Sequence, residues 1–412
     1  MSMNRVVITG RGAVSPYGLG VQQLLEGVWQ GRSAVKVMEA WRQISGMKSL
    51  LAAPVPPFDA KNKLPRARRR SMGPVALYAT LAAQEAAADA GLSEAFLAGG
   101  EVGAVIGSTT GSPEALAALY GHYLLDNSIE AIKAGEFFKI MGHSCSANVC
   151  MTLGITGEQW APTSACTSAA QALGLGYLLV QSGRQQAMLC GGADETHASV
   201  TGVFDVVRAA SCRNETPGAT PSPFDLKRDG VVCGAGSGIL VLESLDSARQ
   251  RGARIYGEIC GFGHVNDSEH IAHPHSSSMA RAMVRAMAEA GVSSADIDYV
   301  NAHATGTEQG DRAEAQAIAQ AVHGSVAVSS LKGHFGHTLG AAGGLETIVL
   351  LEMLLRQEIV PTLHLEDIDP DCHCVDLVQH LRPRAIKTVI KNNFALGGVN
   401  AAFIIRRVED DV

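Results

Sequence analysis

One cysteine and two histidines have the strongest claim to chemistry in this sequence. Cys166 lies in Pro162-Thr163-Ser164-Ala165-Cys166-Thr167-Ser168, where small polar residues run into an alanine-rich helical stretch. A thiol at a helix start meets unpaired N–H groups and the positive end of the helix dipole, which favour the thiolate that a nucleophilic cysteine needs. From position alone, a buried inert thiol is an equally good reading. Most of the other eight cysteines, at 145, 150, 190, 212, 233, 260, 372 and 374, read as buried, inert thiols.

His303 follows a strand pattern in Tyr-Val-Asn-Ala-His303, and ligands approach α/β sheets just past strand ends. His337 precedes a helix that echoes the one after Cys166, so pseudo-symmetric halves would bring Cys166 and His337 together from equivalent helix starts. His334 reads as a structural or surface residue. Lys332 and Glu346 bracket His337, either as a buried ion pair or as a solvated one. The run Cys372-His373-Cys374 is too compact for a four-ligand site, and no metal is expected.

Short β-branched runs alternate with Ala/Leu-rich helical stretches, the pattern of an α/β fold. Strands are predicted at Val6–Thr9, Val102–Ile106, Gln186–Leu189, Gly238–Glu243, Tyr256–Gly263, Tyr299–Asn301, Val326–Ser329, Thr388–Asn392 and Ala402–Arg406. Helices are predicted at Met72–Ala90, Ser168–Ser182, Ser276–Ala290, Asp311–Val322 and Leu345–Arg356. Segments repeat weakly and in order: RVVITGRGAVSP with IYGEICGFGHV, EVGAVIGSTTG with IDYVNAHATG, and ACTSAAQALG with HTLGAAGGLE. Two similar α/β halves, 1–250 and 251–412, are therefore expected to pack into one body. Their strands are apolar on both faces, as a sheet covered on both sides requires.

A chain of 412 residues exceeds the roughly 250–300 at which single cores stop growing. With 46% hydrophobic and 18% charged residues it is neither disordered nor fibrous. A formal net charge of −7 argues against a dedicated nucleic-acid binder. No signal peptide is visible, and Glu346 and Glu352 interrupt the longest apolar helix, so no membrane span is expected. A reduced, cytoplasmic protein is the reading. The 45 glycines gather at strand ends and helix starts, where backbones can approach closely, although tight turns alone account for most single positions.

Taken together, these motifs resemble the β-ketoacyl-[acyl-carrier-protein] synthases, condensing enzymes of the thiolase-like fold. VVITGRGAVSPYG, TSACTSAAQALG, PFDLKRDGVVCGAGSG, NAHATGTEQGDRAEAQAI, SSLKGHFGHTLGAAGGLE and KNNFALGGVNAAFII carry the resemblance nearly end to end. It implies a layered α-β-α-β-α body and no bound cofactor. Substrates would ride on the phosphopantetheine of an acyl carrier protein. It further implies Cys166 as acyl-accepting nucleophile, His303 and His337 as its histidines, and Lys332 with Glu346 as the supporting pair. Thr305 and Thr307 would hold the pantetheine arm. Leu396 would complete the oxyanion hole with Cys166 through its N–H, beside Phe394 in the gate loop.

The chain departs from the family pattern at several positions. Leu396 stands where the fatty-acid enzymes carry a gating phenylalanine. Ala304 and Gly306 replace Gly and Ser, Ala235 replaces an acidic residue, and Ala272 stands where a pantetheine-contacting Thr is common. These changes point to specialised aryl-polyene or polyketide assembly. Arg66, Arg68, Arg69 and Arg70 form a basic cluster, either a solvated helix start or, with Arg208, the dock for an acidic carrier. The family implies a dimer, with itself or with a related ketosynthase-like subunit. Non-catalytic partners of the chain-length-factor kind share the fold but lose the nucleophile, whereas Cys166, His303 and His337 are all present here. A thiolase would need a second catalytic cysteine.

Overall fold

The computed structural model describes residues 3–130, 132–324 and 326–408. Before residue 250 the chain forms β1 (Val6–Ser15), α1 (Pro74–Asp89), β2 (Val102–Gly107), α2 (Ser144–Leu153), β3 (Gln159–Trp160), α3 (Ser168–Gln181), β4 (Ala187–Asp194) and β5 (Gly236–Ser244). After it come β6 (Gly257–Asn266), α4 (Ser276–Ala290), β7 (Tyr299–Ala302), α5 (Glu308–Ala321), β8 (Ala327–Ser330), α6 (Ala342–Arg356), β9 (Asp376–Leu377), β10 (Thr388–Ala395) and β11 (Val399–Arg406).

The pairing repeats. The first half runs β3-β2-β4-β5-β1, with β3, β2 and β4 parallel and the remaining pairs antiparallel. The second runs β8-β7-β10-β11-β6 with the same directions, and β9 is added beside β8. Val6–Ile8 of β1 pairs with Gly257–Ile259 of β6, joining both into one 12-stranded sheet that includes the short strand Gly18–Leu19.

Alternation along the strands makes the layers. Val105, Met188, Leu240 and Leu242 face a central cluster with Leu173 and Tyr177 of α3 and Leu345 and Ile348 of α6. The intervening Ala104, Ile106, Leu189 and Val241 face α1 and α2. In the second half Val389, Phe403 and Ile405 point to the same centre, while Val300, Val328, Ile390 and Ile404 face α4 and α5. Side chains of period two, apolar on both faces, thus yield five layers, α-β-α-β-α, with α3 and α6 in the middle.

Glycine sets how closely each outer helix lies on its sheet. A Cβ at Gly12 would sit 1.9 Å from the carbonyl oxygen of Ala82 in α1, and one at Gly263 would sit 1.9 Å from that of Ala282 in α4. All nine predicted strands and five predicted helices are present, with ends moved by a few residues. The sequence reading missed α2 and several other helices, among them Val21–Trp29, Pro113–Asp126, Ala134–Ile140 and Ala198–Val206. In α2, Ser-Cys-Ser-Ala-Asn-Val-Cys-Met-Thr-Leu holds few strong helix formers, and burial of Cys145, Val149 and Cys150 in the cluster beside α1 stabilises it instead. No helix among the described residues is long and apolar enough to cross a membrane.

Replacing Gly263 by Ala should destabilise the fold by about 3 kcal/mol, because the clash is with backbone. Gly202→Ala, in an open position of the helix Ala198–Val206, should stabilise by about 0.5–1 kcal/mol. Urea denaturation of both variants checks the pair; equal effects would contradict the packing described.

Candidate active site

Small hydroxyl residues shape the turn that carries Cys166. Ala165–Thr167 is one turn of 3-10 helix leading into α3. The Thr167 hydroxyl donates to the Ser164 carbonyl at 2.7 Å, that of Ser168 donates to the Ala165 carbonyl at 2.8 Å, and the Ser164 N–H donates to the Ser168 oxygen. Ala165 is left-handed at φ 48°, a conformation that costs a non-glycine residue about 1–2 kcal/mol. In the second half the turn Leu339–Ala341 leads into α6 in the same way, with Leu339 at φ 50°. Cys166 therefore corresponds to Gly340, and His337 stands three residues earlier. The sequence echo, which set Ala165 against His337, was two residues out of register.

His303 follows β7, in a loop whose N–H groups have lost their ladder partners. Carboxylates of α5 take them up. Glu314 accepts from the N–H of His303 at 2.8 Å and of Ala304 at 2.7 Å, while Asp311 accepts from those of Thr305 and Gly306. Arg228 lies against Asp311 at 3.6 Å and Asp369 at 2.8 Å. The His337 N–H donates to the Val232 carbonyl, and its own carbonyl accepts from the Gly234 N–H, both at 2.7 Å. Backbone anchoring on both sides brings Cys Sγ and one nitrogen of each imidazole within 4.8 Å of one another. The two rings meet edge-on, with centroids 5.1 Å apart. Neither ring nitrogen of His337, nor Nδ1 of His303, has a hydrogen-bond partner among the described residues.

Behind the triad, Lys332 and Glu346 are fully buried and in direct contact, so the solvated reading of this pair is excluded. A residue not anticipated from sequence completes the group: Lys391, also fully buried, lies 2.8 Å from the other Glu346 oxygen and donates to Asn392 and Asn393. Two lysines share one carboxylate; burial lowers Lys391 from the ordinary lysine range against the pull of Glu346, and both lysines act on the histidines as positive charges. Burial first, then Lys332, drives both His303 and His337 well below the ordinary histidine range, so each is a neutral imidazole at pH 7. The thiol corrects the expectation from the helix start. Burial pushes Cys166 up to about 12, with Lys332 the leading influence in the opposite direction. The resting side chain is a thiol.

A cavity of about 690 Å³ opens onto the triad, and Thr305, Thr307, Arg208, Phe394 and Leu396 all line it. Phe394 is buried with its ring edge-on to His303 at 6.3 Å. Leu396 is 47% exposed, on the turn between β10 and β11 that left-handed Gly397 and Gly398 close. Ala272 also lines the cavity, whereas Ala235 packs into the core against α1. Arg66, Arg68 and Arg70 are exposed and Arg69 is tied to the Leu64 carbonyl; none of them lines the cavity. His334 is fully buried and meets the Pro361 carbonyl at 3.0 Å.

A thiol and two imidazoles are donor types that zinc accepts. The surplus positive charge of Lys332 and Lys391, which already acts on both histidines, opposes a dication there. Lys391 could have been found from sequence as a lysine in the middle of the predicted strand Thr388–Asn392.

Glu346→Gln would leave two buried ammonium groups without a carboxylate. It should cost about 3–5 kcal/mol in urea denaturation; a loss below about 1 kcal/mol would contradict a fully desolvated centre.

The family model described as "Beta-ketoacyl synthase, N-terminal domain" matches residues 3–248, and that for the C-terminal domain matches residues 256–366. 3-Oxoacyl-[acyl-carrier-protein] synthase 1 of Escherichia coli K12 is 34% identical, over 99% of this chain and 100% of its own. The corresponding synthase 2 of Synechocystis is 32% identical over 99% of each. A crystal structure of a beta-ketoacyl synthase from Burkholderia phymatum superposes with a TM-score of 0.96 at 40% identity, covering 99% of this chain and 100% of that one. The ishigamide ketosynthase/chain length factor superposes at 0.90 and 32% identity, with the same coverage. Duplicated halves, a cysteine at the start of one central helix and matches along the whole length place the chain in the β-ketoacyl synthase family.

Proposed function

We propose that the chain, built of halves 1–250 and 251–412, joins malonyl units to an acyl group held on Cys166. Both substrates arrive as thioesters of an acyl carrier protein. The observation that carries this reading is the convergence of a buried thiol and two neutral imidazoles within 4.8 Å at the base of a ligand-sized cavity. The Cys166 sulfur attacks the carrier thioester, its proton passes to the departing carrier thiol, and the acyl group moves to Cys166. The N–H groups of Cys166 and Leu396 hold the tetrahedral oxyanion. Thr305 and Thr307 grip the pantetheine arm.

Malonyl carrier then enters and its C–CO2 bond breaks, leaving an enolate. His303 and His337, being neutral, each donate one ring N–H to the enolate oxygen. The enolate carbon attacks the acyl carbonyl, the Cys166 sulfur leaves as thiolate and takes one proton from solvent, and β-ketoacyl carrier departs. The Lys332–Glu346–Lys391 group keeps the histidines neutral and opposes the burial cost of the thiolate.

Specialised polyene or polyketide assembly is supported by Leu396, a smaller gate than phenylalanine at the cavity mouth. Carrier docking at Arg66, Arg68, Arg69, Arg70 and Arg208 is supported by four exposed guanidinium groups on an acidic chain, Arg208 at the mouth itself. The helices Pro113–Asp126 and Ala134–Ile140 expose Leu116, Tyr120, Leu124, Leu125, Phe137 and Phe138, a face that supports pairing with a second ketosynthase-type subunit, identical or related.

His303→Ala and His337→Ala should each abolish CO2 release from malonyl carrier while leaving acylation of Cys166 measurable; normal release from either removes that residue from its role. Lys332→Met should slow alkylation of Cys166 by iodoacetamide at every pH below 12, because a cation that favours the thiolate is lost. An unchanged rate would contradict that influence. Reversing Arg66, Arg68 and Arg70 to Glu should raise KM for carrier-bound substrate about tenfold at low salt with kcat unchanged. An unaltered KM would refute docking there.

A further inference from the structure

Asp194 ends β4, is 2% exposed and has no part in the chemistry above. Its Oδ2 accepts the N–H of Gly340 at 2.6 Å, both its oxygens lie 3.1 Å from the N–H of Thr109, and Oδ1 accepts the Ser108 hydroxyl at 2.8 Å. The Gly340 N–H from the turn before α6 and the Thr109 N–H from the loop after β2 converge on one point, which makes an anion-binding concavity. Burial raises this carboxyl to about 6, against the pull of the same hydrogen bonds, so it remains an anion at neutral pH.

The duplicated fold says what this concavity corresponds to. β4 and β10 are equivalent eight-residue strands, one ending at Asp194 and the other at Ala395. Each end packs on the turn of the opposite half: Ala395 on the cluster of Cys166, Asp194 on Gly340. Gly340 holds the position that Cys166 holds in the first half. A Cβ at Gly340 would lie 2.7 Å from Oδ2 of Asp194 and 2.9 Å from the Thr109 nitrogen, so no side chain fits there while the carboxylate is in place.

We propose that the second half keeps an anion hole at the position matching the nucleophile turn, and that Asp194 fills it with its own carboxylate. This internal anion is a positioning residue: it fixes the turn Leu339–Ala341 and with it the preceding His337. A small carboxylate is the ligand that the vacated hole would take.

Asp194→Ala removes a group the size of formate. The condensation rate should fall about ten- to a hundredfold through displacement of His337. Sodium formate should restore it saturably, and sodium chloride of equal ionic strength should not. The thermal midpoint should respond in the same way, which keeps the test decisive for a poorly folding variant. No recovery, or equal recovery in chloride, overturns the proposal.

Asp194→Asn provides a second reading. Burial raises the pKa of the Cys166 thiol most; Lys332 lowers it, Cys233 and Asp194 raise it further, and His303 and His337, both neutral, stand within 4.8 Å of the sulfur. Removing the negative charge should move the pH midpoint of Cys166 alkylation downward, and an unchanged midpoint contradicts the assignment. Melting and alkylation do not pass through condensation, so they separate failure of this inference from failure of the proposed reaction.

Discussion

Glu346, shared by two lysines with no access to water, is the interaction on which the proposed chemistry depends. A buried ion pair seldom stabilises a fold beyond what apolar side chains of the same volume would. What it supplies here is a fixed field. One surplus positive charge beside His303 and His337 reinforces their desolvation and holds both imidazoles neutral, and the same charge opposes the desolvation of Cys166. Three elements must meet to produce it: the turn after β8 for Lys332, α6 for Glu346 and β10 for Lys391.

All three belong to the second half, and the duplicated halves bring Cys166 of the first half against them. Each half lays down the same succession of strands and helices, and each starts a central helix at the boundary between the two. Close approach there rests on glycine against backbone. A Cβ at Gly344 would fall 2.1 Å from the Gly238 carbonyl oxygen, and one at Gly192 would fall 2.1 Å from that of Gly340. With no side chains in the way, the helix starts press together and the loops after β7 and β10 close over them. Pseudo-symmetry is then broken at the turn itself, with a thiol on one side and a bare glycine opposed by Asp194 on the other.

Much of this was legible in the residues. β-branched runs marked the strands, and Cys166, His303 and His337 stood out by their places at a helix start, past a strand end and before the echoing helix. What sequence could not supply were partners distant along the chain. Glu314 holds His303 from 11 residues away, Asp194 holds Gly340 from 146, and nothing local announces either bond. The thiol shows the same limit. The helix start at Cys166 is a local feature and is present, but the burial that pushes the thiol up depends on both halves closing over Cys166. The echo slipped by two residues because runs of Ala, Gly, Thr and Ser match one another in several registers, whereas the left-handed residues Ala165 and Leu339 fix only one.

The account stands or falls on Cys166 carrying the acyl chain between two carrier-bound substrates. Intact-protein and peptide mass spectrometry after mixing with an acyl carrier thioester tests this directly. One acyl group should appear on the peptide containing Cys166. Malonyl carrier should then discharge it, with one CO2 released and one β-ketoacyl carrier formed for each acyl group lost. An acyl group on any other residue, or one that malonyl carrier fails to discharge, would contradict the account.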